Sequence, residues 1–424
     1  MDYKLYDMGN YNLYLINTDK FKTISLSAYF RHENTREDVV YLSILKDVLE
    51  AGTAGFEKLN DYYRQRLEIY DPKVTIRALN YGKDRTFLIN GQFANENYTE
   101  QGMNEKSIKF IFDMLYNPKL DGEAFDAETF EICRHDYVEA LKSAKDNPTT
   151  YSQSRLWEEM DVYDYDIIRN DEAIDLALKM TAHDLYKYYQ TLFTENSLDI
   201  FVIGNFDNEK MKEIIASSVK GDFKQGHKNR YISYESAREE IKEVIEPAQT
   251  GQSQLAIGLK FVDLTDFERK YVSVFYISIL GGNWSSKLNQ VVREENSLCY
   301  YIGAIRNIPY SVAFIYAGID AEDFKKTCAL IKEQMESMIK GDFTLDAMKQ
   351  VKQIYENSLV EIEDSQMAIL NTLTSELLSD NDDIDKRREL IGKVTKEDIV
   401  NLSKKVHFDV IYLLKGENNG KDQA

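Results

Sequence analysis

Histidines are the first side chains to test for metal chemistry, and here their spacing fails. His32, His135, His183, His227 and His407 include no pair at i,i+3 or i,i+4, the spacing from which one helix aims two imidazoles at one metal. His135 and Glu139 are the best helix-spaced pair, and a surface hydrogen bond accounts for them without a metal. Cys133, Cys299 and Cys328 are widely separated and odd in number, which excludes a four-cysteine zinc site and a disulfide framework. Cys299 lies between Leu298 and Tyr300 with no histidine nearby in sequence, the setting of a buried, inert thiol.

Two acidic clusters, Asp161-x-x-Asp164-x-Asp166 and Asp380-Asn381-Asp382-Asp383-x-Asp385, could attract calcium. Neither has the spacing or the glycine of a helix-loop-helix calcium loop, and solvated acidic loops are the simpler expectation. No phosphate loop, dinucleotide fingerprint or nucleophile elbow occurs. Gly281-Gly282 lacks the following lysine of a phosphate loop and reads as the flexible end of an apolar helix. That leaves Arg293 and Tyr300, seven residues apart across a helix end, a short turn and a strand start. Taken by spacing alone, they are a surface arginine paired with Glu294 or Glu295 and a tyrosine packed under a sheet.

The elements around these residues are written twice. Ile24, Leu26, Ala28 and Phe30 alternate as one face of a half-buried strand, and Leu255, Ile257, Leu259 and Phe261 repeat the pattern. Apolar helices follow, over 37–49 and 267–280. Phe125-Asp126-Ala127 and Leu345-Asp346-Ala347 each open a long helix, and Thr181-x-x-Asp184 and Thr395-x-x-Asp398 form capping boxes. Each box leads to an apolar strand, 198–203 and 410–414. The separations are 229 (Leu26 to Leu255), 220 (Asp126 to Asp346) and 214 (Thr181 to Thr395). One narrow band of offsets implies an internal duplication.

At 424 residues, with 43% hydrophobic and 29% charged residues, the chain is an ordinary globular protein of two domains. The polar stretch 221–234, with Lys224, Gln225, Gly226, His227, Lys228, Asn229 and Arg230, reads as a solvated linker between domains 1–220 and 235–424. A net charge of -20 makes nucleic acid a poor partner. The N-terminus has no charged-then-apolar signal segment, and the longest apolar run, 272–280, falls short of a bilayer span. The expectation is a soluble, cytoplasmic protein with no membrane span.

The stretch from Gly281-Gly282-Asn283-Trp284-Ser285-Ser286-Lys287-Leu288 through Val291-Val292-Arg293-Glu294-Glu295 to Leu298-Cys299-Tyr300-Tyr301 is specific. It resembles the second-half signature of the insulinase or pitrilysin family of zinc peptidases, which includes the mitochondrial processing peptidase. The family's first half holds His-x-x-Glu-His on a helix that ends in Gly-Thr. Here the helix ends in Gly52-Thr53, and the matching positions read Ser43, Lys46 and Asp47. The family's third ligand, a glutamate shortly before Asp-Asn-Pro, falls on Ala140, with Glu139 beside it and Asp146-Asn147-Pro148 intact. Serine is a poor neutral ligand, and a lysine cation where a base belongs opposes metal binding.

The resemblance covers essentially the whole chain and implies an α+β fold. Two similar α/β domains, antiparallel-rich sheets flanked by helices, form a clam-shell around a substrate chamber. It implies a catalytically inactive homologue with no zinc of its own, whose partners are a zinc-bearing homologue and a peptide substrate. In that arrangement Arg293 and Tyr300 hydrogen-bond the peptide backbone or the developing oxyanion, so a subunit contributes them without owning the metal. The rival reading is a scaffold with no peptidase partner. An active enzyme with an unusual metal site is disfavoured by Lys46 and Ala140.

Overall fold

The computed structural model describes residues 2–54, 59–160 and 168–417. The chain opens with β1 (Lys4–Asp7), β2 (Asn12–Asn17), β3 (Thr23–Glu33), α1 (Asp38–Glu50), α2 (Leu59–Glu68), β4 (Lys73–Tyr81) and β5 (Asp84–Ala94). It continues through α3 (Met103–Tyr116), α4 (Ala127–Lys142), α5 (Pro148–Glu159), α6 (Asn170–Lys179), α7 (Ala182–Thr191), β6 (Ser197–Gly204) and α8 (Asn208–Ser218). The second half begins with β7 (Lys242–Ala248) and β8 (Ser253–Phe261). A helical run follows as Glu268–Val272, α9 (Ser273–Ile277) and Ser278–Gly282, its first and last segments wound with the wider turn of a π-helix. Then come β9 (Cys299–Asn307), β10 (Val312–Ile319), α10 (Phe324–Ile339), α11 (Leu345–Glu361), α12 (Gln366–Leu378), α13 (Ile384–Ile391), α14 (Lys396–Ser403) and β11 (Val406–Gly416).

The duplication is visible in strand order. The first sheet runs β1-β2-β6-β3-β5-β4 and the second β7-β11-β8-β10-β9. Apart from the extra β1, the orders superimpose strand for strand. In each sheet one pair is parallel, β2 with β6 and β7 with β11, and the remaining neighbours are antiparallel. Both expected capping boxes are present, at Thr181–Asp184 and Thr395–Asp398. The fold is thus two similar α/β units with antiparallel-rich sheets flanked by helices.

The units are not contiguous in sequence. One comprises Met1–Lys142, Ile168–Asn229 and Glu363–Asn381; the other comprises Ser143–Ile167, Arg230–Ile362 and Asp382–Ala424. A division into 1–220, 221–234 and 235–424 therefore follows the chain, whereas the folded units exchange one helix each. Helix α5, from the first half, covers one face of the second sheet: Tyr151, Leu156 and Met160 pack with Ala256, Val312, Phe314 and Tyr412. Helix α12, from the second half, lies on the first sheet, where the Gln366 carbonyl accepts from Thr23 and Ser25 Oγ at 2.8 and 3.0 Å. The exchanged helices start 218 positions apart, Pro148 to Gln366, inside the offset band of the duplication. Asn147 caps α5 by accepting from Thr150 N, and Pro148 occupies the first turn.

The exchange corrects one expectation. Strand β3 is buried on both faces, including Ser25 and Ser27, because α12 covers the side opposite Leu26. Ser27 is satisfied by Asn90 and Ser25 by Gln366, so the hydroxyls are buried without loss.

The stretch 221–234 contains a crossing between the units, at Asn229/Arg230, and is mostly exposed, but it is anchored at points along its length. Phe223 belongs to the first core and Ile232 to the core beneath α5. Lys224 N donates to Asn196 O, Asn229 N to Leu378 O and Ile232 N to Pro309 O. Two apolar anchors and backbone pairing hold a segment whose polar composition gave no core pattern. No helix among the described residues is long and apolar enough to cross a membrane.

Candidate functional site

Helix α1 carries the positions that match the zinc motif. Its apolar side, Val40, Ile44, Leu45, Val48 and Leu49, packs into the first core. Its start is fixed at Asp38, 1% exposed, which accepts from Thr35 N at 2.6 Å and from Tyr188 OH, with His32 Nε2 at 2.9 Å. Burial alone raises the Asp38 pKa, but the His32, Tyr188 and Thr35 bonds outweigh it and leave the carboxyl below its ordinary value. The helix ends at Gly52, whose φ of 148° favours glycine, and Thr53 bridges to Pro118.

The side chains at the motif positions are engaged elsewhere. Ser43 Oγ donates to Val39 O at 2.6 Å, folding back on its own helix. Lys46 pairs with Asp47, both about one-third exposed. Ala140 lies exposed on α4, which packs against α1, and offers no donor atom. Glu139 bonds Lys142 at 2.8 Å rather than His135, and that bond lowers its pKa. A hydroxyl, an ammonium, a paired carboxylate and a methyl group do not fit zinc. Among the described residues, no group of three or more His, Cys, Asp or Glu side chains could hold a metal ion.

Arg293 and Tyr300 belong to the second unit and line one polar depression of about 430 Å³ with Glu294, Ser297, Leu298, Cys299 and Asp320. Arg293 sits in the π-wound segment Asn289–Glu295, at a helix end where insertions of this kind recur near functional sites. The segment closes with Ser297 N donating to Arg293 O and Leu298 N to Val292 O, Ser297 taking a left-handed φ of 54°. The guanidinium lies over the Trp284 ring at 4.8 Å and only 3.8 Å from Glu294. The expected ion pair with Glu294 is therefore present but long for a charged hydrogen bond, and the Trp284 ring is a second support.

Tyr300 is not packed under the sheet: it is 67% exposed. The cause is a register break. Tyr301 pairs with Gly318 and Cys299 with Ile319, so Tyr300 is the extra residue of a β-bulge on the edge strand β9. A bulge turns two successive side chains outward, and both Tyr300 and Tyr301 are exposed. Cys299 stays buried, and burial pushes its thiol up to about 11, consistent with an inert sulfur.

The turn that precedes the Arg293 segment is closely packed and hydrogen-bonded. Gly281, expected to be a flexible helix end, is instead a close-packing position: a Cβ there would meet Ala304 Cβ at 2.7 Å and Ala304 N at 2.9 Å. Buried Asn289 donates to Asn283 O and Ile302 O, both at 3.1 Å, tying the helix to the loop and to β9. Sequence reasoning missed Trp284, Asp320 and Asn289. Trp284 stood inside the quoted motif, and an exposed tryptophan nine residues before an arginine was the available signal.

Among the described residues, no acidic cluster offers a calcium site. The one at Asp161, Asp164 and Asp166 lies outside the described residues. In the other, Asp382 is mostly buried and accepts from Tyr271 OH at 2.8 Å, Asp383 caps α13, and Asp380 pairs with Lys228. Asp380, Asp383 and Asp385 are exposed, as expected of a solvated acidic loop, and Asp382 is the acid that anchors it.

Residues 179–355 match the family described as "Peptidase M16 inactive domain". Over 418 residues the chain is 27% identical to the "Probable inactive metalloprotease YmfF" of Bacillus subtilis, covering 96% of each protein. A conserved protein from Enterococcus faecalis has a similar structure, with a TM-score of 0.90 at 21% identity over 99% of this chain and 100% of that one. Pitrilysin aligns with a TM-score of 0.72 at 12% identity, over all of this chain and 46% of its own.

Proposed function

We propose that this chain, an inactive M16 peptidase homologue, is the non-catalytic subunit of a peptidase pair, lending Arg293 and Tyr300 to a peptide held by a zinc-bearing homologue. The observation that carries the reading is the bulge at Tyr300, which projects a phenol into the same polar depression as Arg293. A guanidinium and a phenol are hydrogen-bond donors suited to a peptide carbonyl or a developing oxyanion. The unsuitability of Ser43, Lys46, Asp47 and Ala140 for zinc supports assigning the metal to the partner.

The test is reconstitution with a zinc-bearing homologue and turnover of a fluorogenic peptide. The chain alone is expected to hold no stoichiometric zinc and to cleave nothing. In the pair, Arg293→Ala or Tyr300→Phe is expected to slow turnover by roughly 10²–10³, the usual effect of losing an oxyanion donor, with assembly and zinc content unchanged. Full turnover in both variants transfers the preference to the scaffold reading.

A further inference from the structure

Helix α10 carries Lys332, Met335, Glu336 and Ile339 at i, i+3, i+4 and i+7, a stripe that walls a cavity of about 370 Å³ in the second unit. Ile241, Val406 and Phe408 complete its apolar lining, and Ile241 and Ile339 are exposed. Small-molecule sites have this make-up, apolar walls with a few polar groups and a volume of about 300–1,000 Å³. Two of the polar side chains are already engaged: Arg238 Nε donates to Asp409 at 3.1 Å and Ser403 Oγ to Ile399 O at 2.7 Å. Lys332 Nζ stands 5.6 Å from the centre of the Phe408 ring. Neither Lys332 nor Glu336 has an oppositely charged partner among the described residues. We infer that this cavity binds a dipeptide of apolar residues with both termini free, its carboxylate on Lys332 and its ammonium on Glu336.

Charge, spacing and volume each narrow the occupant. A fatty acid would satisfy Lys332 but lay its chain against the Glu336 carboxylate, and an apolar amine would do the reverse with Lys332. A zwitterion with an apolar body answers both charges. Residues four apart on a helix have Cβ atoms about 5–6 Å apart. The ends of an extended dipeptide, at about 3.3–3.6 Å per residue, are separated by a similar distance. An apolar cavity of about 150 Å³ holds benzene, so the volume here takes about fifteen non-hydrogen atoms. That is roughly a dipeptide of valine and leucine, and nearly twice either amino acid alone. The cavity shares no lining residue with the depression at Arg293 and Tyr300, and its occupancy does not depend on whether those two serve a partner.

Isothermal titration of the full chain compares valyl-leucine with its N-acetyl and C-terminal amide derivatives. Valyl-leucine is expected to bind, and each derivative to bind roughly tenfold more weakly, the effect of one lost charge-assisted hydrogen bond. Each substitution is expected to cancel one preference. Glu336→Gln should bind valyl-leucine and the N-acetyl form alike while still discriminating against the amide, and Lys332→Met should do the opposite. Both side chains are exposed, so the fold tolerates either change. No binding of valyl-leucine, equal binding of all three compounds by the parent, or preferences unchanged in the variants overturns the inference. Decanoate or free leucine binding more tightly than valyl-leucine overturns the choice of occupant.

Discussion

The two units share a strand order but use the region around the equivalent edge strands differently. In the first, α1 is a regular helix whose polar positions are absorbed by Val39 O, by each other and by Ile76 N. In the second, π-wound segments, a left-handed Ser297 and a bulge at Tyr300 turn a guanidinium and a phenol outward. Regular geometry accompanies the unit whose motif positions are occupied internally. Irregular geometry accompanies the one whose donors face solvent. Each edge is also stitched by one side chain, on opposite backbone groups: Glu50 takes an N–H of β4, and Asn289 gives to a C=O of β9. Duplicated scaffolds can thus diverge through local winding and capping while the sheet stays fixed.

The central strands show what the duplication kept. Arg31 on β3 bonds Asp199 on β6 at 2.7 Å, with both side chains almost wholly buried. Lys260 on β8 bonds Asp409 on β11 at 3.1 Å in the second sheet. Arg31 and Lys260 are 229 positions apart, the same offset as Leu26 and Leu255. The pairs differ in redundancy, because Asp409 is also held by Arg238 Nε at 3.1 Å. The largest effect expected of any variant comes from this difference. Arg31→Met strands a buried Asp199 carboxylate with Asn12 as its remaining side-chain bond and is expected to cost about 3–5 kcal/mol. Lys260→Met leaves Asp409 its arginine and is expected to cost roughly half of that or less. Urea unfolding read by hydrogen exchange on β3, β6, β8 and β11 measures both. Equal losses would erase the distinction.

The exchanged helices allow a test of which half stabilises which sheet. Leu156 on α5 and Leu370 on α12 are fully buried, and truncation of either to alanine is expected to cost about 2–5 kcal/mol. The informative readout is location. Leu156→Ala, a first-half substitution, is expected to lower amide protection in β8, β10 and β11 and spare β3 and β6. Leu370→Ala is expected to do the reverse. Loss confined to each residue's own half of the sequence would refute the exchange.

That exchange marks the limit of what was legible in the sequence. Alternation at Leu26 and Leu255, the capping boxes and the offset band disclosed the duplication, because hydrophobic period and cap chemistry are local. They could not disclose that α5 and α12 change units: an amphipathic helix records that it has an apolar side, not whose sheet covers it. Strand β3 misled for the same reason, since Ser25 and Ser27 read as solvent-facing until Gln366 and Asn90 are placed beside them. At the site, Arg293 and Tyr300 were named from the motif. The exposure of Tyr300 depends on a bulge, and a one-residue register change has no signature in residue types. Gly281 was noticed but misread, because close approach to Ala304 is a tertiary fact.

The smallest expected effect concerns what holds Arg293. Its guanidinium lies 4.8 Å from the centre of the Trp284 ring and 3.8 Å from the Glu294 carboxylate. Trp284 is 76% exposed, so the ring contributes at a solvated site, where such contacts are worth about 0.5–1 kcal/mol. Glu294 is also largely exposed, its separation is long, and surface ion pairs of that kind are often worth nothing measurable. Double-mutant cycles on thermal stability separate the two. Trp284→Leu with Arg293→Met is expected to show coupling of about 0.5–1 kcal/mol, and Glu294→Gln with Arg293→Met coupling near zero. The first should persist in high salt, because screening acts mainly on charges separated by solvent. The reverse ordering would mean that charge rather than the aromatic face aims the arginine, and Trp284 would then lose its place in the site.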